Sequence, residues 1–261
     1  MRVGFYQFSP AFGQVERSLT QIERALDGVE ADLIVLPELA NSGYLFLERS
    51  EVEALAEPVP GPSTAFLHEL ARKRDVYLAM GLPERHGGAL YNSAALVGPQ
   101  GVVGVYRKAH LFYEEKLFFQ PGDLGFPVFE VEGAKVGLLI CFRHLFPEAA
   151  LAHALGGAEL IAHPSNLVMP TKAQLSTRVR AMENRAFWAL CNRYGTEDRG
   201  GKSLTYTGCS EINGLDGQVL AEAPEAGDCV RVVELDPAAA RDKRVTRLND
   251  LFDGRRADLY A

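Results

Sequence analysis

Two short runs, Leu33-Ile34-Val35-Leu36 and Val136-Gly137-Leu138-Leu139-Ile140, lack the polar alternation of a half-exposed strand. A strand of that kind is buried on both faces, so each run demands structure above and below its sheet. Segments with helical spacing supply those layers. Leu19, Ile22, Ala25 and Leu26 mark a helix over 15–29, and Phe66, Leu67 and Leu70 mark another from an N-cap at Ser63 to about Lys73. Further helices are expected over 147–155 and over a long stretch from Gln174 to Arg193 that contains Trp188 and Cys191. Strands are expected over 3–8, 76–82, 94–97, 102–106, 135–140, 159–162, 204–212, 218–221 and 229–235, with the tail from Asp236 charged. Strand and helix alternate without repeat or linker. This pattern predicts one α/β domain over 1–261, its mixed sheets covered by helices.

The chain is long enough, at 261 residues and 47% hydrophobic, to bury a core without covalent staples. Cys141, Cys191, Cys209 and Cys229 therefore read as reduced thiols, the last three as packing residues. A net charge of -7 and a pI near 5.5 argue against duplex nucleic acid or an anionic membrane as partner. No apolar stretch approaches the ~18 residues of a membrane span. The opening Met1-Arg2-Val3-Gly4-Phe5 enters a strand with no signal core, so a cytoplasmic location is expected. The histidines show no His-Glu-x-x-His spacing and the cysteines no Cys-x-x-Cys, so neither metal nor organic cofactor is expected. Gly-x-Ser-x-Gly is missing, which removes the usual serine hydrolase. Gly200-Gly201-Lys202-Ser203 fails as a phosphate loop, because Thr196 stands where the motif needs its first glycine.

Rigid strands position the residues at their ends at little entropic cost, so strand ends are where chemistry gathers in α/β folds. Three ends here carry complementary groups. Leu36-Pro37-Glu38 delivers a carboxylate, Tyr106-Arg107-Lys108 a cation, and Leu139-Ile140-Cys141 a thiol. Each alone has an ordinary explanation: a solvated turn acid, a surface charge, a small packed side chain. Together they make a nucleophile, a base and an oxyanion donor. A Cys-His pairing of Cys141 with His110 or His163 is possible by residue type, but it leaves Glu38 and Lys108 unexplained; structural hydrogen bonds are the expected role of both histidines.

Several blocks in order resemble the nitrilase superfamily of carbon–nitrogen hydrolases. They are Leu36-Pro37-Glu38-Leu39, Tyr106-Arg107-Lys108-Ala109-His110-Leu111-Phe112, Gln120-Pro121-Gly122-Asp123 and Val136-Gly137-Leu138-Leu139-Ile140-Cys141. Phe146-Pro147-Glu148, Arg180-Ala181-Met182-Glu183-Asn184-Arg185 and the closing segment from Asp253 to Tyr260 extend the match over nearly the whole chain. The resemblance implies an α-β-β-α sandwich of two mixed sheets. It implies a homodimer or higher oligomer built through helices near the site and through the tail at about 236–261. It also implies a Glu38-Lys108-Cys141 triad for small amides, with Glu115 as a second carboxylate and adjacent Glu114 solvated. The backbone N–H of Phe142 would help bind the oxyanion. Tyr44, His110, Ser165 and Asn166 are expected near the substrate.

One position departs from the family pattern. An acidic residue usually follows the aromatic after the nucleophile, but here the run is Cys141-Phe142-Arg143-His144. Arg143 is expected to face outward or pair with Glu148, to lower the thiol pKa or select an acidic substrate, or else to deprive Arg180 of an orienting partner. The expected reaction is hydrolysis of a small aliphatic or ω-carboxy amide. Nitrile or N-carbamoyl hydrolysis by the same triad is the alternative, and an inactive scaffold is the alternative of another class.

Overall fold

The computed structural model describes residues 1–259, so Tyr260, quoted above in the closing segment, lies outside the described residues. The first half contains β1 (Arg2–Gln7), α1 (Val15–Ala25), β2 (Leu33–Val35), α2 (Arg49–Leu55), α3 (Pro62–Arg74), β3 (Tyr77–His86), β4 (Ala89–Gly98), β5 (Gly101–Arg107) and the one-turn α4 (Glu115–Phe118). The second contains β6 (Val128–Val131), β7 (Ala134–Leu138), α5 (Pro147–Leu155), β8 (Leu160–Pro164), α6 (Lys172–Asn184) and β9 (Phe187–Cys191). A hairpin of β10 (Tyr194–Arg199) and β11 (Lys202–Thr207) follows, then β12 (Glu211–Asn213), β13 (Val219–Glu222), β14 (Cys229–Glu234) and the small ribbon β15 (Arg244–Thr246) and β16 (Asn249–Asp250).

Two six-stranded sheets form, in the orders β14-β1-β2-β3-β4-β5 and β13-β12-β9-β8-β7-β6. In each, three adjacent strands are parallel (β1-β2-β3 and β7-β8-β9) and the outer ones antiparallel. The pleat explains the layering. Val3, Phe5, Leu33 and Val35 pack with Val136, Leu138, Leu160 and Ala162 of the other sheet. Their neighbours on the opposite face, Tyr6, Ile34, Leu78 and Met80, pack with Leu19 and Ile22 of α1 and Leu67 and Leu70 of α3. On the other outer face, Ala149 and Ala150 of α5 and Ala173 and Ala181 of α6 join the second sheet's core. The result is the α-β-β-α sandwich, and the uninterrupted apolar runs are uninterrupted because both faces are covered.

Four local expectations are corrected. The expected helix over Gln174–Arg193 stops at Asn184, where Arg185 turns left-handed at φ 42°. Phe187 to Cys191, with Trp188, is instead β9, buried between β8 and β12, so Cys191 sits in a strand rather than a helix. The N-cap of α3 is Gly61 rather than Ser63; Pro62 opens the helix, and Ser63 donates from N–H and Oγ to Glu57. The expected strand over 204–212 is broken by Gly208 and Cys209, at φ 57° and 52°, into β11 and β12. Strand β7 ends at Leu138; Leu139 still donates to the Ala162 carbonyl of β8 at 3.1 Å, and extended Ile140 leads into a 3₁₀ turn at Cys141–Leu145.

Candidate active site

Strand direction brings the three chemical ends together. Because β4 reverses the chain after β3 and β5 reverses it again, β5 runs with β2, and Lys108 leaves their sheet at the same end as Glu38. The second sheet meets that end through Asn166, just past β8, whose Nδ2 donates to the carbonyl of Glu38 at 2.8 Å. Gly81 of β3 fixes the turn that carries Glu38: its N–H donates to the Pro37 carbonyl at 3.0 Å and its carbonyl accepts from Ala40 at 2.8 Å. A Cβ on Gly81 would lie 2.4 Å from Glu38 Cα. Gly81→Ala should therefore push the carboxylate out of place. The expected result is a loss of about 100-fold in kcat with about 1–3 kcal/mol of destabilisation, read by ammonia release and thermal melting; wild-type kcat would refute the close-approach account.

Lys108 Nζ donates to Glu38 Oε1 at 2.6 Å and to Glu115 Oε1 at 2.7 Å, with all three side chains essentially excluded from solvent. Burial works against the Lys108 charge, but Glu115 and Glu38 outweigh it and hold the ammonium above the usual lysine value. The two carboxylates are not equivalent. Glu115 accepts from Lys108, from Tyr44 Oη at 2.7 Å and from the Phe112 N–H at 3.0 Å, although burial raises its pKa above the usual carboxylate range. Glu38 Oε1 accepts from Lys108 and from Asn92 Nδ2 at 2.7 Å, while its buried Oε2 has no partner among the described residues. One carboxylate is saturated with donors; the other keeps a free oxygen.

Cys141 opens the 3₁₀ turn at φ 44°, a left-handed conformation that costs a non-glycine residue energy and marks a position held by its surroundings. Its side chain is buried, and the charges of Glu38, Lys108 and Glu115 all act on it. Burial and Glu38 push the thiol well above its ordinary pKa against the pull of Lys108, so the resting group is a neutral thiol.

The histidine alternative fails on geometry. His163 Nε2 meets the Cys141 carbonyl at 3.0 Å and Nδ1 accepts from Trp188 Nε1 at 3.0 Å, leaving neither nitrogen for the thiol. Burial depresses its pKa to about 3, so it stays neutral. His110, expected near the pocket and hydrogen-bonded, is instead exposed, stacked on Phe146 at 3.9 Å, and forms no side-chain hydrogen bond among the described residues. Tyr44 is placed on Glu115 as described, and Phe142 and Asn166 line the space at Cys141. Ser165 is buried behind it, donating from N–H to the Cys191 carbonyl. Glu114 is not simply solvated: it accepts from Lys202 Nζ at 2.7 and 2.8 Å.

Arg143 is neither outward nor paired with Glu148. It is 1% exposed, stacks over Phe126 at 4.7 Å and Phe146 at 5.5 Å, and its guanidinium nitrogens have no hydrogen-bond partner among the described residues. Arg180 pairs with Glu183. Two residues of the site escaped the sequence reading. Asn92 had a signal, a polar residue inside the apolar strand β4. Glu197 had none: it accepts from the N–H groups of Tyr44 and Leu45, from Tyr206 Oη and from Arg193, and so fixes the loop that carries Tyr44.

A buried thiol, an ammonium and two carboxylates at the meeting ends of a sandwich's sheets define the class: an α-β-β-α hydrolase with a cysteine in its site. The chain belongs to the carbon–nitrogen hydrolase family, whose model matches residues 2–245. It is 43% identical over 264 residues to a nitrilase of Pyrococcus abyssi, covering 100% of this chain and 99% of that one. It is 34% identical to an N-carbamoylputrescine amidase of Arabidopsis thaliana, covering 88% and 83%. A double mutant of the amidase from Nesterenkonia sp. AN1, in complex with acrylamide, superposes with a TM-score of 0.81 at 27% identity, covering 99% and 95%. The protein is thus a hydrolase acting on carbon–nitrogen bonds other than peptide bonds. Among the described residues, no helix is long and apolar enough to cross a membrane.

Proposed function

We propose that this enzyme hydrolyses a small primary amide through a thioester at Cys141, releasing ammonia and a carboxylic acid. The observation that carries this reading is the free, buried Oε2 of Glu38 on a carboxylate whose other oxygen is fixed by Lys108 and Asn92. Oε2 takes the proton from the Cys141 thiol as sulfur attacks the carbonyl carbon. Charge then develops on the carbonyl oxygen. Lys108 and the N–H of Phe142, in the first turn of the 3₁₀ segment where N–H groups lack helical acceptors, stabilise it. Glu38 passes its proton to the leaving nitrogen, the C–N bond breaks, and ammonia departs. Water then gives a proton to Glu38 and its oxygen attacks the thioester; the C–S bond breaks and the proton returns to sulfur. Glu115, already saturated with donors, holds Lys108 in place throughout.

A nitrile is the second reading, favoured by the archaeal relative named a nitrilase, and an N-carbamoyl amine is supported in the same way by the plant relative. A cytoplasmic homodimer completes the proposal. Leu175, Val179 and Met182 leave α6 on one exposed stripe, 68%, 36% and 49% accessible, as a face for a second copy, with the tail from Asp236 adding to it. Intact-mass analysis after mixing with short amides at low pH tests the chemistry. The expected result is a mass gain of one acyl group on the wild type and none on Cys141→Ala, which should also lose all turnover. An acyl adduct retained by Cys141→Ala, or turnover without Cys141, would refute the proposed nucleophile.

A further inference from the structure

Beside the thiol lies a second space that the chemistry above does not use. A cavity of about 360 Å³ is walled by Phe46, Phe118, Phe119 and Leu204, with Tyr44 and Glu115 at its inner end. Phe112 and Val168 line both this cavity and the small space at Cys141, so the two are immediate neighbours. Phe46 meets the rings of Phe118 and Phe119 edge-on at 6.4 and 5.9 Å, an aromatic floor with no polar atom to offer.

Every charge on this wall is already answered. Glu115 is held by Lys108 and Tyr44, and the Glu114 carboxylate at the rim holds Lys202 through both oxygens. A substrate arm ending in a carboxylate would have to strip Lys202 from Glu114 or bury its charge against phenyl rings; an ammonium arm would meet the same neutralised rim. Burying such a charge against the rings costs far more than placing methylenes or a ring there.

We propose that this cavity is the acyl pocket, and that it selects amides of uncharged, apolar acids, of about hexanoyl or phenylacetyl size, over ω-carboxy and ω-amino amides. The proposal rests on the reading of Cys141 as nucleophile and, of the aliphatic and ω-carboxy amides expected from the sequence, favours the aliphatic.

The test is kcat/KM for hexanamide and phenylacetamide against acetamide, glutaramate and 6-aminohexanamide, by ammonia release. Alongside it, calorimetric binding of the same compounds to Cys141→Ala reads the pocket without the chemistry. The apolar amides are expected to exceed the charged ones by at least 100-fold in kcat/KM, and to bind at least tenfold tighter than acetamide. Leu204→Arg should reverse the order of hexanamide and glutaramate. Glutaramate within threefold of hexanamide on the wild type, with its rate lost in Lys202→Met, would overturn the proposal and make Lys202 a carboxylate receptor. No turnover of any amide, with hexanamide still preferred by Cys141→Ala, would leave the pocket standing and remove the amide-hydrolysis reading. Absence of an apolar preference in both assays would remove the pocket.

Discussion

Lys108→Met should lower kcat by two to three orders of magnitude, because it removes the charged donor proposed for the developing oxyanion, a loss of about 3–4 kcal/mol in the transition state. The same substitution should cost stability, and the cost should depend on pH. In the wild type the ammonium sits 2.6 and 2.7 Å from Glu38 and Glu115. Without it, Glu115 keeps the burial that already raises its pKa and loses the cation that lowers it. A carboxyl whose folded pKa lies above its unfolded value binds its proton more tightly in the folded state, so stability falls as pH rises through that range. The melting temperature of Lys108→Met should thus approach that of the wild type near pH 5 and fall away toward pH 8, where breaking a buried ion pair costs about 3–5 kcal/mol. Melting curves at the two pH values check this; a deficit equal at both would refute the buried pairing, and kcat within threefold of wild type would refute the oxyanion role.

Glu38→Gln isolates the base. Lys108 and Asn92 both donate to Oε1, so the glutamine oxygen must take that place and its NH₂ must point where the unpartnered Oε2 was. The shape of the site survives and the proton acceptor does not. The expected loss is 10²- to 10⁴-fold in kcat, the usual range for one general base, with a melting temperature close to that of the wild type. Steady-state kinetics and a thermal melt together decide it: more than a tenth of wild-type kcat would mean that another group takes the proton.

The sequence was informative where chemistry and local pattern coincide. Glu38, Lys108 and Cys141 each end or closely follow a strand that apolar runs and turn residues already marked, so position and residue type could be read together. It misled where two local patterns are interchangeable. Phe187 to Cys191 continues the apolar content of α6 after only Arg185 and Ala186, and no glycine signals the stop, because Arg185 itself takes the left-handed turn. A short apolar run of this kind fits a buried strand or a buried helix equally well. Arg143 shows a different limit: a charge is expected at the surface unless paired, yet the 3₁₀ turn carries this one inward onto two phenyl rings.

The residue order by itself determined the layered fold, through strands too apolar to leave either face wet, and the three reactive groups at their ends. The tertiary structure alone decided which oxygen of which carboxylate is free, which histidine nitrogens are engaged, and that the space beyond the thiol is apolar with its rim charges paired. Those properties depend on atoms contributed by segments distant in the chain. Asn92, Glu115, Glu197 and Lys202 acquire their roles only when β4, α4 and the β10–β11 hairpin are brought against the Glu38 and Tyr44 turns.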